Sequence, residues 1–64
     1  MRIIYGDFVI AIKLAHCEGK RLIFQDLDGV RYYTDDYFAE NIALCMLNDL
    51  VINGYIRVKN LNFM

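Results

Sequence analysis

Arg21-Leu-Ile-Phe-Gln-Asp-Leu-Asp-Gly-Val-Arg-Tyr-Tyr-Thr34 is the stretch whose reading decides the fold. Two runs rich in aromatic and β-branched residues flank Asp28-Gly29, a dipeptide that adopts the positive φ values of a two-residue type I′ hairpin turn. That turn sets Leu27 against Val30, Asp26 against Arg31, Gln25 against Tyr32, Phe24 against Tyr33 and Ile23 against Thr34. Asp26 and Arg31 then face each other as opposite charges, a pairing that contributes ~0.2–1 kcal/mol. The hairpin expected here covers Arg21–Leu27 and Val30–Thr34.

Downstream, the segment from Thr34 to Asn53 reads as one long helix over about residues 35–53. Thr34, Asp35 or Asp36 can cap it, early acids favour its N-terminal dipole, and Asn53-Gly54 makes a left-handed stop. Its wheel is apolar on more than one side. Ala39, Ala43, Met46, Leu47 and Leu50 form one stripe, flanked by Leu44 and Val51. Phe38, Ile42, Cys45 and Ile52 form a second, broken only by Asp49 and Asn53. Such a helix is usually covered on more than one side.

Beyond Gly54, Tyr55-Ile56-Arg57-Val58-Lys59 alternates with period two and predicts a half-exposed strand. Leu61 and Phe63 then return to the Tyr55 face, so a bulge or strand end falls near Asn60. Upstream, Phe8, Ile10, Ile12 and Leu14 alternate with Val9, Ala11, Lys13 and Ala15. Asp7 and Gly19 would also bracket a helix there, but β-branched Val9, Ile10 and Ile12 favour a strand. The fold expected is α+β: an antiparallel sheet of three or four strands, the helix packed on one face, and a C-terminal strand. All of residues 1–64 form one small domain.

The composition sets limits on function. Counted without Tyr but with Gly, apolar residues are 36 of 64, or 56%, against roughly 45–50% in ordinary soluble domains. A domain this small buries only ~60% of its unfolded surface, so surplus apolar groups must face water or a partner, and a partner, most simply a second copy, is expected. The net charge of −1 favours neither a polyanion nor a polycation as that partner. The longest uncharged run, Asn41 to Asn48, has eight residues, far short of the ~20 that span a bilayer. Arg2 and the apolar residues after it imitate a leader faintly, but Asp7 and Lys13 interrupt it. A cytoplasmic protein without a membrane association is expected.

Catalytic and metal chemistry find little support. Cys17 and Cys45 lack the paired spacing of a zinc site or disulfide framework, and one His16 cannot complete a metal shell with them. Both are read as buried, reduced thiols. His16 and Cys17 point to opposite faces of a strand, which prevents a nucleophile–base hydrogen bond. No cofactor and no enzymatic activity are expected.

Leu22-Ile-Phe-Gln-Asp26-Leu-Asp28-Gly29-Val30 resembles the first motif of the haloacid-dehalogenase-type phosphatases. The resemblance implies Asp26 as nucleophile and Asp28 as acid. Val30 replaces the family's Thr, and its doubly wound domain, Lys and magnesium-binding acids have no counterpart in these residues. A hairpin turn accounts for the same acids. A calcium loop is not expected either, since Phe24 and Asp35 stand where an EF-hand needs an oxygen ligand and a bidentate Glu.

Leu47-Asn-Asp-Leu50-Val-Ile-Asn-Gly54-Tyr55-Ile56-Arg57-Val58 resembles the end of a winged-helix DNA-binding domain, which implies a recognition helix followed by a wing strand. Here that helix is unbroken and carries Glu40 and Asp49 but no Lys or Arg.

Two functional expectations remain. The first is a non-catalytic protein–protein interaction module acting as a homo-oligomer, most simply a dimer. It would be comparable to the short regulators and inhibitors carried by mobile elements. Phe38, Ala39, Ile42, Ala43, Met46, Leu47 and Leu50 are its candidate self-association residues, with either helix stripe at the contact. Asn41 and Asn48, seven residues apart, could fix its register. The second is a nucleic-acid-binding module using Arg31, Tyr33, Tyr55, Arg57 and Lys59, with Tyr32 beside them, for stacking and phosphate contact.

Overall fold

Period-two alternation before Thr34 resolves into four strands: β1 Arg2–Tyr5, β2 Phe8–Glu18, β3 Arg21–Asp26 and β4 Arg31–Thr34. The structure, a computed structural model, describes residues 1–35 and 39–64. A single helix, α1 (Glu40–Asn53), follows, then β5 (Tyr55–Val58) and β6 (Asn62–Phe63). The architecture is α+β, with the helix packed against a mixed six-stranded sheet of order β5-β1-β2-β3-β4-β6. The sheet is thus larger than expected. It is also not purely antiparallel, because β5 pairs with β1 in parallel. A parallel pair needs a long crossover, and the three intervening strands and α1 supply it.

β5 and β6 lie at opposite edges of the strand order yet are separated only by residues 59–61. Flat, the edges of six strands would stand ~24 Å apart, from five spacings of ~4.8 Å. Four residue steps from Val58 to Asn62 reach at most ~14 Å. The sheet is therefore rolled, with β5 and β6 acting as two halves of one interrupted strand that ties β1 to β4. The parity change near Asn60 marks that interruption.

The residues after Asp7 form a strand rather than a helix, and β2 is where the sheet bends. Its first half pairs with β1 and its second with β3, and the register shifts between Ile12 and Leu14. Lys13 is the extra residue of that bulge. A bulge bends its strand and resets which side chains face inward. Ile12 is buried before it, Ala15 and Cys17 pack against the core after it, and Leu14 is left exposed.

The β3–β4 hairpin forms with a register one residue away from that expected. Phe24 pairs with Tyr32 and Gln25 with Arg31. The loop is closed by the Gly29 amide donating to the Asp26 carbonyl at 3.2 Å and the Asp26 amide donating to the Val30 carbonyl at 3.0 Å. Gly29 has φ 87°. This pattern is a three-residue loop built on a type I turn, with Gly29 as the left-handed bulge residue. Asp26 holds it through its side chain: Oδ1 accepts from the amides of Asp28 and Val30, both at 2.9 Å. A turn of this kind favours Asp at its first position. The slip reverses the faces of β4. Asp26 and Arg31 consequently form no ladder pair.

α1 also begins later than expected. Thr34 is fully buried in β4 and caps nothing. The N-cap is Ala39, without a side-chain hydrogen bond, and Asp36 lies outside the described residues. The C-terminal end matches the reading: Gly54 has φ 84° and its amide donates to the Leu50 carbonyl at 2.9 Å. The core joins Ile3, Ile12, Leu22, Phe24, Ile56 and Val58 of the sheet to Ala43 and Leu50 of the helix.

Candidate interaction surface

Packing distinguishes the two stripes of α1. Ala43 and Leu50 are fully buried, Met46 and Leu47 are half-buried against the core, and Ala39 is half-buried at the N-cap. Four of the expected self-association residues, Ala43, Met46, Leu47 and Leu50, therefore contribute to the molecule's own core. Phe38 lies outside the described residues. Only Ile42 of that set is both described and exposed.

The opposite face of α1 is exposed and uncharged. At ~100° per residue, side chains seven apart fall in one column. Leu44 and Val51 form one column, Asn41 and Asn48 the next, Cys45 and Ile52 the third. All six are exposed, with Val51 at 64% and Ile52 at 70% of their full accessibility. Glu40 and Asp49 flank the columns on either side. Cys45 is thus on the surface, against the expectation of a buried thiol. The seven-residue spacing was the available signal for Leu44, Val51 and Ile52, which the sequence reading had noted only as stripe members.

The total accessible surface is 4316 Å², close to the ~4,250 Å² of a compact monomer of this mass. The apolar surplus therefore reflects which side chains cover the outside, not an open fold.

Of the aromatic–basic residues, Arg31 and Tyr33 lie on β4 and Tyr55 and Arg57 on β5, near the two ends of the strand order. Lys59 follows β5. The Arg21 guanidinium lies 4.1 Å from the Tyr33 ring centre, and that of Arg2 lies 6.0 Å from the ring of Tyr55, which stays exposed. Asp35 stands 3.8 Å from Arg21 and offsets its charge. Tyr32 faces inward, against Phe24.

The acids and thiols of the tempting motifs have structural roles. Asp26 is almost wholly buried, and its Oδ2 accepts from the Tyr32 hydroxyl at 3.1 Å. Burial, then the hydrogen bond and charge of Asp26 and the charge of Asp28, push the Tyr32 phenol upward. Cys17 packs inward and donates to the Gly19 carbonyl at 3.5 Å, while His16 is exposed and lies 3.4 Å from Glu18. Burial first, and Glu40 second, push the Cys17 thiol up, opposite to what a nucleophile requires.

Among the described residues, no three His, Cys, Asp or Glu side chains are grouped so as to hold a metal ion. No described helix is long and apolar enough to cross a membrane. No protein-family model, curated protein or solved structure matches the chain.

Proposed function

We propose that this chain is a small non-catalytic module that self-associates through the outer face of α1. The observation that carries this reading is the uncharged face itself. Solvated helix faces ordinarily carry charges, whereas Asn41, Leu44, Cys45, Asn48, Val51 and Ile52 carry none and include three exposed aliphatic side chains. Their spacing is that of a coiled-coil seam, with Leu44 and Val51 as apolar knobs and Asn41 and Asn48 at the alternate positions that set register. Glu40 and Asp49 are placed as a rim.

The fourteen residues of α1 extend ~21 Å. Burying ~500 Å² of apolar surface along two such helices contributes on the order of 12 kcal/mol before association costs. Against an association cost at the low end of ~4–15 kcal/mol, that leaves a dimer in the micromolar range. A second protein using the same face would have to displace the self-contact.

Size-exclusion mobility of the wild type and of Leu44→Glu/Val51→Glu, with and without a short single-stranded oligonucleotide, tests the reading. The wild type should elute as a dimer and ignore the oligonucleotide, and the variant should elute as a folded monomer. Co-elution with the oligonucleotide that weakens steeply with salt would overturn the proposal in favour of nucleic-acid binding.

A further inference from the structure

A second surface, sharing no residue with the outer face of α1, gathers three exposed aromatic side chains, Tyr5, Phe8 and Phe63, around the half-buried Tyr32. Tyr5 and Phe8 come from the β1–β2 hairpin, Tyr32 from β4 and Phe63 from β6. Together they line a groove of about 260 Å³ floored by Ile10 and Leu61. Tyr32 and Phe63 lie with ring centres 5.2 Å apart and planes tilted by 36°. A space this small is below the usual range for drug-sized ligands and suits one compact group.

A second groove of about 250 Å³, bordered by Asp26 and Asp28, shares Val9 and Ile10 with it. Among the described residues, no Lys, Arg or His lines either groove. Aromatic faces are the negative side of the ring quadrupole, and they attract cations most strongly when the cation is poorly hydrated. The Tyr32 hydroxyl donates to Asp26, which places a carboxylate behind one of these rings and raises the electron density of its face. Asp28 is exposed beside it.

An apolar ligand would use the rings but not the exposed Asp28 carboxylate. A bare ammonium would use that carboxylate but lose hydration against the rings. A cation clothed in methyl groups uses both. We infer that this groove binds an alkylated ammonium group, as borne by a small quaternary amine or a methylated lysine side chain. Charge complementarity between the aromatic groove and the acidic groove that adjoins it at Val9 and Ile10 selects that occupant. The interaction is non-covalent, and the methyl groups occupy the space between Tyr5, Phe8, Tyr32 and Phe63 while the positive centre faces the Asp28 side.

The test is an NMR titration of the intact chain with choline and with 3,3-dimethylbutan-1-ol, its neutral carbon isostere. A parallel titration with Nε-trimethyl-lysine amide distinguishes a small-molecule source from a side-chain source. Choline or the lysine derivative should shift the amides of Tyr5, Phe8, Tyr32 and Phe63 and bind about tenfold more tightly than the isostere, as a single cation–π contact provides. Phe63→Leu and Asp28→Asn replace exposed side chains and should keep the wild-type spectrum elsewhere. Both should weaken the charged ligands severalfold and leave the isostere unchanged. Equal binding of choline and its isostere, or no shift with any cation, overturns the inference. Shifts confined to α1 on adding ligand would also overturn it.

Discussion

The Tyr32 hydroxyl donates to Asp26 Oδ2 at 3.1 Å while Asp26 Oδ1 holds the amides of Asp28 and Val30 at 2.9 Å. One carboxylate thus connects the β3–β4 turn to the inner face of β4. Three hydrogen bonds to a charged group are lost together in Asp26→Ala, and two of them leave backbone amides unpaired. The loss should cost about 3 kcal/mol or more, read as a lower urea midpoint with an unchanged slope. An unshifted midpoint would remove this carboxylate from the account of the turn.

Burial of the Tyr32 phenol, together with this contact, sets a pH dependence. Tyr32 holds its proton more firmly in the fold than in the unfolded chain, where the ordinary value is 10.0. Its contribution is therefore complete below that value and is lost as pH rises through the higher folded one. Thermal unfolding followed from pH 9 upward should show destabilisation beginning near pH 10 in the wild type. That component should be absent in Tyr32→Phe. Parallel profiles for the two proteins would contradict it.

Gly29 separates backbone strain from crowding. A Cβ built there meets only Gln25 Nε2, at 3.9 Å, an ordinary contact. The cost of Gly29→Val should then be purely conformational, about 1–2 kcal/mol for an L-residue held at positive φ. Gly29→Asn should cost clearly less, since Asn tolerates that region. Equal melting temperatures for the two variants would argue against the left-handed bulge.

Thr34 is fully buried in β4, and its Oγ1 has no hydrogen-bond partner among the described residues. A buried hydroxyl without a partner carries its full desolvation cost. Thr34→Val keeps the shape and should stabilise the fold by about 1 kcal/mol, measured by urea unfolding. A loss of similar size would mean that the hydroxyl is engaged.

Much of the fold was legible, and the errors share one physical cause. Alternation and glycine punctuation located β2, β3, β4 and β5, and Asn53-Gly54 located the end of α1. Register was not legible, because Asp28-Gly29 fits a two-residue type I′ turn and a three-residue loop equally well. The choice depends on Asp26, whose carboxylate reads locally as a partner for Arg31 and instead turns inward to the loop amides. The bulge at Lys13 was hidden for a similar reason: Leu14 continues the apolar alternation of Ile10 and Ile12, although the bend leaves it outside. The start of α1 was misplaced because Thr34 and Asp35 look like caps, while burial of Thr34 in the sheet takes precedence. The helix faces were half legible. Two apolar stripes were visible, but only packing of Ala43 and Leu50 on the sheet shows which side of α1 is left outside. That side combines Leu44 and Val51 from beside the first stripe with Cys45 and Ile52 of the second. The aromatic groove gave no sequence signal, since its four rings come from β1, β2, β4 and β6 and meet only when the sheet rolls.

Sedimentation equilibrium at high micromolar concentration, on the wild type beside Ala43→Glu and Leu44→Glu/Val51→Glu, tests the central claim most directly. The account predicts a wild-type dimer. It predicts that Ala43→Glu unfolds, because a charge enters the core where Ala43 is fully buried. The outer-face variant should stay folded and sediment as a monomer. A wild-type monomer at that concentration, or an outer-face variant that remains dimeric, would contradict self-association through α1.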